Sequence, residues 1–506
     1  MKPDKKFLVA DRVLGSISFN LLRSGTTFCT IVLLARWLGP HDYGVMVFLF
    51  ASFVAFQQLF DMSSTSAFFT FLSGRPRHPK FITFYARWIV IQFGVSLLFV
   101  ALILPDSAID FIWQGESKAL VVLAFVAAFM QNMSWTVVSQ MGEACRETIA
   151  VQKINAVVAF GHFIVVVGLW IFGKLVLPLV LVAVIIEWSI ACWVASSIYE
   201  SSNSHLIDKE EKISVSATFA EFWDYCKYYI PFVWLCFIQD IASTWMLQRW
   251  GGAEEQAYYG IGLQFSAVLL IVTFSVLKIF WKEIAEAYHL GDLAKLEMIF
   301  FKASKALFLV GAVCSGFIIP WSNEIIVLVL GESYLGGVFA FSLMLIFPVH
   351  QSMGQLGNAM LMATQNIKSH VILGMIFSSI GFIVAFIMLS PSVGLGLAAT
   401  GLAFKMVFVQ FLAVNAKFWV ISRIFGWKFN WASQLIILGS CLSLGLLCKY
   451  LVSNLLELDF IVLLAVSSSI YISIICLLIW SYPEKMTGFS SSEIVNFGST
   501  LRRQDL

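Results

Sequence analysis

Long apolar runs separated by short polar connections fill the sequence from about residue 13 to about residue 480. Each is long enough to supply the roughly 20 helical residues that cross a hydrocarbon core about 30 Å thick. Fourteen such helices are predicted, near 13–38, 44–72, 81–104, 118–141, 152–173, 175–198, 222–250, 257–281, 298–319, 336–364, 368–389, 395–416, 433–452 and 459–480. The connections at Gly173-Lys174 and Ser390-Pro391 are short enough to be tight hairpins. The first run carries Arg23 and has no small-residue cleavage site, so it reads as a retained span and not as a signal peptide.

Composition agrees with this pattern. With 59% hydrophobic residues, 12% charged residues and a mean hydropathy of +0.87, the chain is too apolar for a soluble domain, and an all-α polytopic membrane protein is expected. The nine cysteines stand singly, with no CxxC pair and no histidine at ligand spacing, so neither a disulfide framework nor a metal site is predicted.

Charge asymmetry gives the orientation. Of the 32 Lys and Arg residues, only Arg36, Lys118, Lys174, Arg249 and Lys449 fall on the outer side if the N-terminus is cytoplasmic. Arg23, Lys227 and Lys405 are embedded, and the rest lie at the inner ends and loops. The positive-inside rule then places both termini in the cytoplasm. Outer connections are short, and the longest inner ones, near 199–221 and 282–297, are charged and helix-forming, as in Asp208-Lys209-Glu210-Glu211-Lys212. No soluble catalytic domain fits, so the function is expected within the bundle.

A polar hinge divides the first two runs, Arg36-Trp37-Leu38-Gly39-Pro40-His41-Asp42-Tyr43-Gly44. A version returns as Arg249-Trp250-Gly251-Gly252, followed by Glu254-Glu255 and Tyr258-Tyr259-Gly260, with three more residues between its Arg and its last Gly. Both copies sit at the same point in two successive sets of six runs, which predicts parallel repeats about an axis along the membrane normal with a cavity between them. The expected organisation is an N-terminal six-helix half over 1–200, a cytoplasmic linker over 201–220, and a second six-helix half over 221–420. Two additional lipid-facing helices and a cytoplasmic tail complete it over 421–506.

The embedded Arg23 followed by Ala35-Arg36-Trp37-Leu38-Gly39-Pro40-His41-Asp42-Tyr43-Gly44 resembles the start of the bacterial polysaccharide transporters, the O-antigen-type flippases. These belong to the multidrug, oligosaccharidyl-lipid and polysaccharide exporter superfamily. The segment from Asn323 to Tyr334 is similar to the stretch before that family's tenth helix. The resemblance implies a V-shaped bundle in the bacterial inner membrane that moves an undecaprenyl-diphosphate-linked sugar repeat unit by alternating access. It implies work alongside a polysaccharide polymerase and assembly proteins, without a cofactor. Coupling to a proton or sodium gradient is open.

Such a substrate needs a wet, polar groove, because a diphosphate and its sugars lose hydration on entering hydrocarbon. An embedded charge costs about 2.5 to 3.5 kcal/mol at a helix centre, so deep ionisable residues mark candidates for that groove. These are Arg23 and Asp61, placed at similar depth as a pair that binds diphosphate or forms a structural salt bridge, together with Lys405, Glu187 and Asp240. Lys405 reads either as a cation lining the cavity or as the partner of Glu187, Asp240 or another buried acid. Arg87, Lys227 and Lys278 lie near inner ends, where they collect an anionic head group or snorkel to the interface. His162 and His350 are mid-depth, and a lone histidine there reads as a packing residue or a titrating one. Gln57-Gln58, Gln131-Asn132, Gln140, Gln239, Gln351, Gln355 and Asn358, with Trp135, Trp234 and Trp245, offer hydrogen bonds and stacking faces for sugar. Two deep bases against three deep acids is fewer cations than an anionic substrate leads one to expect.

Nucleotide chemistry is not predicted. Gly168 to Lys174 has Walker A spacing, but Leu175 stands where a Ser or Thr is needed for magnesium, and Gly394 to Ala399 lacks a preceding strand and an acid beyond it. Both read as packing glycines in membrane hairpins, and the chain is expected not to be an enzyme. Two alternatives to the flippase remain, an ion-coupled multidrug antiporter of the same superfamily and a membrane-embedded sugar polymerase or ligase. The latter would need a larger outer loop than 104–118.

Overall fold

The computed structural model describes residues 5–74, 79–144, 147–203, 214–456 and 459–490, and these are almost wholly helical. The fourteen predicted runs are mostly helical, with breaks inside 44–72 at Met62-Ser63, inside 222–250 at 227–229 and inside 336–364 at 345–346. Twelve described stretches are long and apolar enough to cross a membrane, and the first of them, Ser18–Asp61, holds two of the runs because it continues through a bend at Gly39. Of the predicted linker, residues 204–213, including Asp208 to Lys212, lie outside the described residues, as does the tail beyond residue 490.

The chain forms two compact units. The first comprises residues 1–257 and 389–398. Its helices are α1 (Lys5–Asp61), α2 (Ser64–Gly74), α3 (Pro79–Leu98), α4 (Asp106–Ile112), α5 (Lys118–Ala128), α6 (Trp135–Ala144), α7 (Thr148–Ile171), α8 (Leu177–Asn203), α9 (Val215–Cys226) and α10 (Ile230–Gly251). The long α1 packs along α7 and α10. This unit therefore takes in α9 and α10, and its boundary falls later than the repeat boundary expected near residue 221.

Aromatic side chains fill its core. Phe53 stacks on Trp113 at 5.4 Å and meets Phe125 edge-on, and Phe68 stacks on Tyr85 at 4.2 Å. Trp113 donates its indole N–H to Ser52 Oγ at 3.2 Å, so the buried ring loses no hydrogen bond. Pairs of this kind add about 0.5 to 1.5 kcal/mol each beyond simple burial.

The second unit comprises residues 258–388 and 399–506. It begins within α11 (Ala253–His289) and continues through α12 (Leu293–Ile318), α13 (Ser322–Val329), α14 (Val338–Met344) and α15 (Phe347–Ala363). Then follow α16 (Ile367–Leu389), α17 (Ala398–Phe425), α18 (Ala432–Leu455), α19 (Phe460–Ser481) and the single turn α20 (Pro483–Met486). Helices in lipid gain little from hydrophobicity and associate where small residues let backbones meet. Here a Cβ on Gly445 would stand 2.0 Å from the Gly316 carbonyl oxygen, and one on Gly316 would stand 2.7 Å from the Cys441 carbonyl carbon.

This close seam docks one face of the thirteenth span, while Leu435, Ile436, Leu446, Leu447 and Tyr450 leave another face apolar and exposed. α18 is docked on α12, and Lys449 near its end bonds Glu324 and the Pro320 carbonyl and lies 5.0 Å from the Trp321 ring centre. The reading of the hairpin glycines as packing residues also changes. Gly173 and Gly396 have φ of +64° and +59°, values that favour glycine, and Gly168 faces open space.

Candidate functional site

Between Ser333 and Leu456 the chain has not one Asp or Glu, yet it carries Lys368, Lys405, Lys417, Arg423, Lys428 and Lys449. Part of this stretch converges on a polar seam among α15, α17 and α18. Gln410 donates to Gln351, Lys417 donates to Asn358 Oδ1, and Gln434 donates to Asn415 Oδ1 at 3.3 Å. The register of α15 makes room for these groups. A Cβ on Gly354 would meet Gln410 Nε2 at 2.8 Å, and one on Gly357 would meet the Lys417 stem at 3.0 Å. The two glycines are three positions apart and so lie on one helix face.

The only described partner of Lys417 is a neutral amide. No carboxylate among the described residues pairs with it, which suits an anionic guest. Lys405, one helical stretch earlier on α17, is 4% exposed and follows the buried Gly401, Leu402 and Ala403. His350 is 5% exposed, with the rings of Phe308 and Phe411 edge-on at 5.5 and 5.1 Å. Neither ring nitrogen meets strict hydrogen-bond geometry with a described residue, and Gln434 is the polar side chain beside the ring. A buried imidazole left so is the kind of group that ordered water satisfies. The lack of acids across this stretch was readable in the sequence but does not emerge when charges are counted by depth alone.

The deep acids occupy the first unit and are engaged there. Asp61 does not pair with Arg23. Its Oδ1 accepts from the Thr65 amide at 2.9 Å, from Thr65 Oγ1 at 2.5 Å and from Ser64 Oγ at 2.8 Å. It thus caps α2 across a break at Met62 and Ser63, whose φ values are 46° and 67°. Tyr85 completes the knot by bonding Ser64 and Thr65 at 3.1 Å each. An apolar cleft of about 130 Å³ opens beside it, lined by Phe60, Trp88, Phe219 and Trp223 among others.

Arg23 is exposed on α1 and forms no ion pair with a described residue. Glu187 of α8 is bonded to His162 Nδ1 of α7 at 2.8 Å, so these two candidates form one site. Asp240 is exposed on α10. Of the entrance candidates, Arg87 is exposed on α3, and Lys227 pairs with Asp224 at 2.6 Å over the Tyr228 ring. The Lys278 side chain lies outside the described residues. Among the remaining polar candidates, Gln57 and Trp135 are buried, and Trp245 donates to the Phe111 carbonyl at 3.1 Å. Among the described residues no three His, Cys, Asp or Glu side chains converge as metal ligands.

The sequence matches no protein-family model and no curated protein. Solved structures match in fold. The lipid II flippase MurJ in its inward closed conformation is similar over 93% of this chain and 99% of its own, with a TM-score of 0.68 at 14% identity. An inward-facing multidrug resistance MATE family transporter of the MOP superfamily covers 81% of this chain and 98% of its own, with a TM-score of 0.56 at 14% identity. A MOP superfamily transporter from Pyrococcus furiosus, described by a reversed polarity of its binding pocket, covers 83% and 97%, with a TM-score of 0.54 at 13% identity. The chain has the fold of this group of transporters.

Proposed function

We propose that the chain is a flippase that carries an undecaprenyl-diphosphate-linked oligosaccharide across the bacterial inner membrane by alternating access, with both termini cytoplasmic, for cell-surface polysaccharide assembly. The fold, shared with a lipid II flippase, supports a transporter, and the observation that carries the substrate class is the acid-free, basic seam. A diphosphate in a membrane needs cations and amide donors in place of water. Lys417 and the amides of Gln351, Gln410 and Gln434 meet that requirement.

An ion-coupled multidrug antiporter is the second reading, favoured by the shared fold with MATE transporters. A cationic drug calls for free carboxylates. Here Asp61 is spent on a helix cap and Glu187 on a histidine. In the flippase reading the transported group is chemically unchanged, which calls for neither an enzyme activity nor a cofactor. Polysaccharide polymerase and assembly proteins are the expected partners of the flippase.

Sealed vesicles holding the pure protein test this. A short undecaprenyl-diphosphate oligosaccharide should become accessible to an outside-only reagent, and Lys417→Gln or Lys405→Ala at equal protein content should slow this. Expulsion of a cationic dye under a proton gradient, with no movement of the lipid-linked sugar, would replace the flippase by the antiporter.

A further inference from the structure

A second basic site lies where α17 ends and α18 begins. Trp419, Ser422, Arg423, Trp427, Phe429 and Trp431 line a cup of about 350 Å³, near the lower end of the size usual for small-molecule sites. Its walls are fixed by packing. Trp427 stacks on Phe425 at 4.7 Å and meets Phe301 edge-on, and Phe429 rests against Phe418 at 4.9 Å and Trp431 at 4.9 Å. The turn itself is set by Gly426, with φ of +74°.

Arg423 is exposed at this cup. Its guanidinium lies 5.5 Å from the Trp419 ring centre and makes no hydrogen bond or ion pair with a described residue. Lys428 follows, and no acid lines the cup. Exposed apolar side chains flank it, Ile424 on α17 and Leu435 and Ile436 on α18. A guanidinium that is stacked on an aromatic ring yet free of acids keeps its planar fork of donors for a phosphate. The apolar flanks suit the chains of the lipid that carries it, with tryptophans at the level of head groups.

We infer that this cup binds the phosphate group of a membrane lipid, held by Arg423 against Trp419 and Trp427. This site is separate from the seam around Lys417, and the inference does not depend on what the protein transports. Two sources share the chemistry, a bulk anionic phospholipid and a polyprenyl phosphate.

Native mass spectrometry of the full-length protein, titrated with phosphatidylglycerol, undecaprenyl phosphate or a phosphate-free galactosyl diacylglycerol, tests this. At least one phosphate-bearing lipid should be retained over the phosphate-free one. Arg423→Gln should lower that retention about tenfold, the loss of one charge-assisted contact. Arg423→Lys, which keeps the charge without the fork, should fall between them, and Trp427→Leu should also weaken it. Whichever arm responds identifies the source. Equal retention by wild type and Arg423→Gln in both phosphate arms, or equal retention of the phosphate-free lipid, would overturn the assignment.

Discussion

Gly39 and Gly252 share one backbone conformation, φ 80° and ψ 169° at the first and φ 88° and ψ −178° at the second. Each closes a matching segment, Arg36-Trp37-Leu38-Gly39 and Arg249-Trp250-Gly251-Gly252. The hinges also touch, since a Cβ on Gly44 would stand 1.8 Å from the Ala253 carbonyl oxygen. This backbone region is closed to side chains, at a cost of about 1 to 3 kcal/mol. Gly39→Ala and Gly252→Ala should therefore both lower the melting temperature of the detergent-purified protein, whereas Gly25→Ala, which faces open space, should not. Unchanged melting of the first two would remove the hinge as a structural constraint.

The docking of α18 on α12 makes a separate prediction. Gly445→Ala must push two backbones apart, at about 1 to 3 kcal/mol as for overpacked cores. Gly439→Ala on the same helix meets nothing within 4 Å and should be tolerated. Thermal melting of the two variants side by side distinguishes an integral α18 from a peripheral one.

His162 and Glu187 hold side chains that are only 19% and 15% exposed. Removing one partner strands the other, at about 3 to 5 kcal/mol, while replacing both with apolar residues of similar size avoids that penalty. His162→Ala should thus destabilise the protein more than the double variant His162→Phe, Glu187→Leu. If the single and double variants melt alike, the pair is not coupled.

Glu116 gives a dependence on pH. Burial holds its carboxyl above the usual carboxylate range, with His41 drawing it down and Asp42 pushing it up. A raised folded value means the fold favours the protonated form. That stability is fully present below the unfolded value of about 4.3 and is lost as pH rises through the folded one. Glu116→Gln should therefore raise the melting temperature slightly at pH about 7 and leave it unchanged at pH about 4. A rise of the same size at both values would refute the titration.

Spans were legible because hydropathy alone sets them, and the predicted runs are mostly helical. The break after Asp61 was not, because neither Gly nor Pro marks Met62-Ser63; the Asp61 carboxylate, accepting from Ser64 and Thr65, caps the next helix instead. Pairing Arg23 with Asp61 on depth failed for the same reason, since local hydrogen bonds to its own chain claimed the carboxylate. Glu187 and His162 sit 25 residues apart on successive helices, and only packing joins them. One signal was present and went unread. Gly-Glu-Ser stands at Gly115–Ser117 and again at Gly331–Ser333, with positive φ at both glycines, 86° and 98°. A duplicated unit accounts for this as it does for the two hinges.

The most direct test of the central claim is equilibrium binding to the full-length protein of an undecaprenyl-diphosphate oligosaccharide and, in parallel, of a lipophilic cationic dye. The basic seam predicts that the anionic lipid binds, that rising salt weakens it, and that Lys417→Gln lowers its affinity about tenfold, the loss of one charge-assisted contact. Preferential binding of the dye, with Lys417→Gln without effect on either ligand, would contradict the account.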